Sequence, residues 1–137
     1  MSNPVPLTRP EPLVLVVDDY EDARAMYAEY FEFSGFAVIQ ACNGVEALEK
    51  ANELLPDVIL MDLSLPIMDG WEATRRLKGD ERTRAIPVVA LTGHALSGYA
   101  DGAIDAGCDA FVAKPCLPDA LVREVRRVLR LPTPPGE

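Results

Sequence analysis

Leu13-Val-Leu-Val-Val17, running straight into Asp18-Asp19, is the stretch that decides the architecture. Five consecutive apolar residues, three of them valine, suit a strand buried on both faces. The period then changes. Ala23, Met26, Tyr27, Tyr30 and Phe33 recur at i, i+3, i+4, i+7 and i+10, which predicts an amphipathic helix packed on that stripe. Gly35 is placed to close it. The same alternation repeats along the chain. Ala37-Val-Ile-Gln-Ala41 reads as a second strand. Asn43, with Glu46 three residues on, resembles a capping box for a helix whose apolar face is Ala47, Leu48, Ala51 and Leu55 and which Pro56 ends. Asp57-Val-Ile-Leu-Met-Asp62 is a third strand, and Asp69 can cap a helix over Gly70–Lys78. Pro87-Val-Val-Ala-Leu91 is a fourth strand, followed by a weaker helix from about Leu96 to Ala106 that Gly107 ends. Ala110-Phe-Val-Ala113 is a fifth strand, and Pro118 suits the first turn of a last helix reaching Arg130. Five strands, each followed by a helix, predict an α/β fold: a five-stranded parallel sheet with helices on both faces, doubly wound, with right-handed crossovers.

The rest of the composition agrees with one such domain. A chain of 137 residues is the size of a single ordinary domain. The ends differ from the middle: residues 1–12 carry four prolines and residues 132–137 read Pro-Thr-Pro-Pro-Gly-Glu. Both are expected to be flexible tails around a domain at 13–131. Thirteen Lys and Arg against twenty-two Asp and Glu give a net charge of −9, which disfavours direct contact with nucleic acid or an anionic membrane. No apolar run approaches the ~18 residues of a membrane helix, and the first residues lack the apolar core of a signal peptide. A cytoplasmic protein is expected. Cys42, Cys108 and Cys116 form no CxxC pair, so reduced thiols serving as small buried hydrophobes are expected.

In open α/β sheets ligands bind outside the carboxyl ends of the strands. Strand one ends in Asp18-Asp19, strand three in Asp62, strand four in Thr92 and strand five in Lys114-Pro115. Any one of these residues is explained as a helix cap. Three carboxylates at one edge are not, because two unit charges ~4 Å apart repel by about 4 kcal/mol at an effective dielectric of 20. Such a cluster calls for a bound cation or a raised pKa, and carboxylate oxygens with water and a backbone carbonyl suit Mg²⁺. Lys114 adds a fixed positive charge, Thr92 a hydroxyl donor, and Gly93 leaves room beside it. An Asp beside Mg²⁺ and Lys is a site for phosphoryl transfer.

Five short stretches now stand in order: Val16-Val17-Asp18-Asp19, Met61-Asp62-Leu63, Leu65-Pro66-Ile67-Met68-Asp69-Gly70, Ala90-Leu91-Thr92-Gly93 and Phe111-Val112-Ala113-Lys114-Pro115. With them the chain resembles the receiver domains of two-component response regulators over about 13–131. The resemblance implies the (βα)5, flavodoxin-like form of the doubly wound sheet. It implies that Asp62 is the phosphoacceptor, that Asp19 ligates Mg²⁺ directly, and that Asp18 acts mostly through water. Asp62 itself and the backbone carbonyl of Ser64 complete the ligands. It makes Thr92 the switch hydroxyl, Lys114 the cation on the phosphate, and Phe111 the aromatic that swings inward when Thr92 moves. The Lys114–Pro115 bond is cis in similar proteins. Ser64 and His94 flank the phosphate and are associated with dephosphorylation. Read from the residues alone, His94 is an exposed loop residue.

The implied partners are a histidine kinase or a histidine phosphotransfer protein upstream and a protein target downstream, met through the fourth helix, fifth strand and fifth helix. With no room for an output domain, a stand-alone receiver is expected, not an enzyme. A receiver excised from a hybrid histidine kinase is the alternative. A phosphorylation-independent binding module is disfavoured by the intact acceptor, acid pair, Thr and Lys. A Mg²⁺ phosphatase would want a second Asp where Ser64 stands, and a nucleotide- or flavin-binding loop would not read Asp-Asp-Tyr-Glu-Asp after strand one. Arg123, Arg126, Arg127 and Arg130 form a stripe on the last helix, opposite Val122, Val125 and Leu129. It is either a solvated face with cations at a helix C-terminus or part of the partner surface. Gly98 and Gly102 soften the fourth helix. The placement of Trp71, exposed or half buried, stays open.

Overall fold

The computed structural model describes residues 11–63, 70–92, 107–113 and 117–131. The expected helix at 96–106, the terminal tail at 132–137 and nearly all of that at 1–12 lie outside them. In chain order the elements are β1 (Leu13–Val17), α1 (Glu21–Phe33), β2 (Ala37–Ala41), α2 (Gly44–Leu54), β3 (Val58–Asp62), α3 (Gly70–Lys78), β4 (Val88–Thr92), β5 (Ala110–Ala113) and a C-terminal helix, Pro118–Leu129. The five strands form one sheet in the order β2-β1-β3-β4-β5, every neighbouring pair parallel. The sheet and its strand boundaries follow the sequence reading to within a residue.

Alternate strand residues point to opposite faces, and each face has its own core. Val14, Val16, Val58, Leu60, Val89 and Leu91 pack with Tyr27, Phe31, Leu121, Val122 and Val125 from α1 and the C-terminal helix. Leu15, Val17, Ile59, Met61 and Val88 pack with Ala47, Ala51, Ala73 and Leu77 from α2 and α3. Every residue of β1 and β3 is buried, as a strand covered on both faces requires.

The amino-terminal edge of the sheet is closed by paired polar groups. The Leu13 amide donates to Asp57 Oδ2 at 2.7 Å and the Asp57 amide to the Leu13 carbonyl at 2.8 Å. Lys78 Nζ reaches the Ile86 carbonyl at 2.8 Å and Asp109 Oδ2 at 2.9 Å, while that same oxygen accepts the Val88 amide at 2.8 Å. The helix caps are local. Asn43 accepts the Glu46 amide, and Glu46 Oε1 accepts the Cys42 amide, one residue earlier than a capping box predicts. That bond holds the Glu46 carboxyl below its ordinary range. Gly35 adopts φ +98° just past α1, a conformation only glycine takes without strain.

Helix burial departs from the sequence reading in three places. On α1 the expected stripe is shifted: Tyr27, Ala28 and Phe31 are buried, whereas Met26 is 45% and Phe33 87% exposed. This helix carries apolar residues around a wide arc, and Phe31 wins the core through its edge-on contact with Phe36, 5.1 Å between ring centroids. Met26 and Phe33 instead line an outer groove with Asp22, Ala25, Glu29 and Tyr30. On α2, Leu55 is not part of the apolar face. It is the C-cap, left-handed at φ 47° and exposed. On the C-terminal helix the arginine stripe splits. Arg126 is half buried, 5.4 Å from the Phe36 ring centroid and donating to the Ser34 carbonyl at 2.7 Å, and Leu121 joins the buried side. Arg123, Arg127 and Arg130 remain exposed, with Arg123 paired to Asp119 and Arg127 to Glu124. Of the cysteines, Cys42 is exposed, against expectation, and Cys108 half buried. Cys116 lies outside the described residues.

The α1 register is testable by urea unfolding. Phe31→Ala is expected to cost about 3–5 kcal/mol, and Phe33→Ala less than about 0.5 kcal/mol. Equal losses would restore the original stripe.

Candidate functional site

β1 and β3 are neighbours in register, Val17 opposite Met61, so the residues that leave them emerge side by side. One carboxylate oxygen from each of Asp18, Asp19 and Asp62 lies within 4.8 Å of the others. Among the described residues this is the one group of three or more metal-ligating side chains so gathered. Asp18 is 1% and Asp62 5% exposed, while Asp19 faces solvent. The cluster is therefore two carboxylates walled by protein and one open to the outside. Charges of one sign at this spacing repel, and every donor is a hard oxygen, so the set fits a divalent cation of the Mg²⁺ kind.

The Asp18-Asp19 turn is built by its own backbone. The Asp18 amide donates to the Ala41 carbonyl at 3.1 Å, extending the β1–β2 ladder by one rung. Asp18 Oδ1 accepts the Tyr20 amide at 2.9 Å. This commits one Asp18 oxygen to the turn and leaves Asp19 as the carboxylate facing outward. On the β3 side the Leu63 amide donates to the Leu91 carbonyl at 2.9 Å, which carries the ladder past Asp62.

Two residues of this site were not given roles by sequence reasoning. Gly70 opens α3 directly against the end of β3: a Cβ there would stand 2.2 Å from the Asp62 carbonyl oxygen and 2.9 Å from Leu63 Cα. Glycine is required for close approach, since only a hydrogen fits. The sequence signals were its place after Asp69 at a helix start and at the end of the Leu65–Gly70 stretch, and neither states the contact. Arg24, on α1, donates to the Asp18 carbonyl at 2.9 Å. Nothing in a helical pattern marks an arginine as belonging to a neighbouring loop.

Thr92 ends β4, one residue past Leu91, the register partner of Asp62, and it pairs with Ala113 of β5. The sheet thus brings the backbones of Asp62 and Thr92 to one edge. Lys114 follows Ala113 in the chain but, with Ser64, His94 and Pro115, lies outside the described residues. Phe111 is half buried and packs with Trp71 and Cys108 against Leu63 and Ala90, so Trp71 too is half buried. Burial pushes the Cys108 thiol up, opposed by its bond to Thr74.

Comparison with known proteins gives this arrangement a family. The response regulator receiver domain model matches residues 14–126. The chain belongs to the response regulator receiver family. The polar-differentiation response regulator DivK of Brucella anthropi is 37% identical over 116 residues, covering 85% of this chain and 94% of that protein. Among solved structures, the receiver domain of the sensor histidine kinase PA1611 of Pseudomonas aeruginosa superposes with a TM-score of 0.82 at 31% identity, over 88% of this chain and 98% of that one. That structure holds a magnesium ion in its active-site cleft. The chemotaxis protein CheY4 of Vibrio cholerae superposes with a TM-score of 0.83 at 29% identity, over 86% and 98% of the two chains. The sheet is the CheY-like, flavodoxin-like fold expected. This receiver is a domain of two-component signalling.

The Gly70 contact generates a prediction. Gly70→Ala must push Asp62 and Leu63 aside, so it is expected to cost about 1–3 kcal/mol in urea unfolding. It is also expected to weaken Mg²⁺ binding roughly 10–100-fold, read by titration calorimetry. Unaltered affinity would mean that α3 can retreat without moving the acceptor.

Proposed function

We propose that this receiver accepts a phosphoryl group on Asp62 from a phosphohistidine donor, with Mg²⁺ held by Asp18, Asp19, Asp62 and the backbone carbonyl of Ser64. The observation that carries the reading is the meeting of three carboxylates, two of them buried, at the carboxyl ends of β1 and β3. The cation, when bound, neutralises the acid cluster and the phosphoryl oxygens. Asp62 Oδ attacks phosphorus, the bond from phosphorus to the donor imidazole nitrogen breaks, and its electron pair stays on that nitrogen. Asp18, with one oxygen committed to the Tyr20 amide, acts mostly through water, and Asp19 ligates directly.

Lys114 supplies positive charge to the bound phosphoryl group. Thr92 donates its hydroxyl to a phosphoryl oxygen and moves toward it, and Phe111 turns inward to fill the vacated space. Ser64 and His94 flank the phosphoryl group and set its lifetime. The protein works in the cytoplasm with a histidine kinase or a histidine phosphotransfer protein as donor. Its phosphorylated form meets a protein target through the fourth helix, β5 and the C-terminal helix, with no direct contact to nucleic acid. A second reading, a receiver that belongs to a hybrid histidine kinase, draws support from the kinase receivers of Pseudomonas aeruginosa and Syntrophus aciditrophicus, each 31% identical to this chain.

Intact-protein mass after incubation with acetyl phosphate and Mg²⁺ tests the acceptor chemistry. A gain of one phosphoryl group is expected, lost with EDTA and lost in Asp62→Asn; a gain that survives in Asp62→Asn moves the acceptor elsewhere. His94→Ala is expected to change the decay rate of the phosphoprotein without changing the site of modification. Identical decay would remove His94 from the mechanism.

A further inference from the structure

Arg24 has a geometry that helix formation does not explain. Its side chain turns back from α1 toward the strand ends and bonds in two directions. Nη1 donates to the Asp18 carbonyl at 2.9 Å, and Nε donates to Gln40 Oε1, on β2, at 3.1 Å. Its main-chain amide donates to the Tyr20 carbonyl at 3.0 Å. That main-chain bond is the ordinary first bond of α1; what the arginine side chain adds is the hold on the Asp18 carbonyl, immediately before Asp19. Asp19 is the member of the acid cluster exposed to solvent, and its side chain has the most freedom to lose.

We propose that Arg24 is a positioning residue for the metal site. By holding the Asp18 carbonyl and tying the turn to β2, its side chain keeps the Asp19 carboxylate where it meets those of Asp18 and Asp62. The inference rests on the metal-binding reading above. A planar guanidinium suits this role, because its donors leave in fixed directions within one plane; an ammonium is a point donor on a flexible stem. Groups that orient metal ligands in this way typically govern metal affinity roughly 10–100-fold without touching the ion.

The sign of the effect separates positioning from charge. Arg24 is a cation near a cation site. Acting through space alone, it opposes Mg²⁺, and its removal would tighten binding. Acting by positioning, it favours Mg²⁺, and its removal loosens binding. Arg24→Lys keeps the charge and loses the fork, so on charge alone it would change nothing.

The test is a Mg²⁺ titration of the full chain by calorimetry, with Trp71 fluorescence as a second readout. Arg24→Ala and Arg24→Lys are each expected to weaken Mg²⁺ binding by about tenfold or more. Gln40→Ala, which removes only the Nε acceptor, is expected to give a smaller loss in the same direction. At saturating Mg²⁺ the rate of phosphorylation by acetyl phosphate should return to that of the unaltered chain. Unchanged or tighter Mg²⁺ binding in the Arg24 variants overturns the proposal while leaving the metal site standing. If Arg24→Ala does not fold, Arg24→Lys and Gln40→Ala decide, and unchanged affinity in both overturns it. Failure of the unaltered chain to bind Mg²⁺ overturns the metal reading and this inference with it.

Discussion

Repulsion among Asp18, Asp19 and Asp62 is the constraint around which this molecule is arranged. Carboxylate oxygens within 4.8 Å of one another resist their own assembly, and any relaxation outward would lower the cost. That relaxation is blocked. The strands that deliver the acids are two of the three interior strands of the sheet, buried along their whole length and bonded to neighbours on both sides. Burial on both faces is more than a packing preference here. It is what allows a flat apolar element to hold charge at its tip.

The two edges of the sheet show how differently the same residue type can be used. At the amino-terminal edge Asp57 and Asp109 sit at the starts of strands, and each is bound to the backbone amide of the strand that begins beside it, at Leu13 and Val88. Lys78 completes the charge balance at Asp109. These carboxylates are spent on closing the fold. At the carboxyl-terminal edge the aspartates stand at the ends of their strands, and main-chain donors come from the turn itself. Tyr20 offers one, to Asp18. Three carboxylates gathered within 4.8 Å of one another are the condition for recruiting a cation.

This difference also explains which parts of the molecule were legible in its sequence. Apolar runs such as 13–17 and 58–61 encode strands because burial on both faces leaves no other composition available. The acids at 18, 19 and 62 were legible because they interrupt those runs at equivalent points. Helix burial was read less well. Met26 and Phe33 fit a helical stripe as well as Phe31 does, and what selects Phe31 is Phe36, a residue beyond the helix. Arg126 looked like part of a charged face, yet Phe36 and the Ser34 carbonyl draw it inward. The roles of Gly70 and Arg24 escaped for the same reason. Each acts on a backbone atom of a distant element, and side-chain periodicity carries no information about backbone contacts.

The packing around the end of β3 also limits which neighbours of Asp62 can move. Leu63, next in the chain to Asp62, is buried with Ala90, and Trp71, Cys108 and Phe111 lie against that pair. Gly70 presses on the same backbone from α3 with no space to spare. A close-packed cluster yields little to small displacements. Any movement of the Asp62–Leu63 backbone must therefore be taken up by α3, which is pinned by Leu77 and Ala73 in the opposite core, or by the half-buried rings of Trp71 and Phe111. The rings are the softer partner, because part of their surface already faces solvent and can be exchanged for burial. A displacement of the Asp62–Leu63 backbone is thereby taken up where Trp71 of α3 meets Phe111 of β5, and not in the β1–β3 core that holds the aspartates in place.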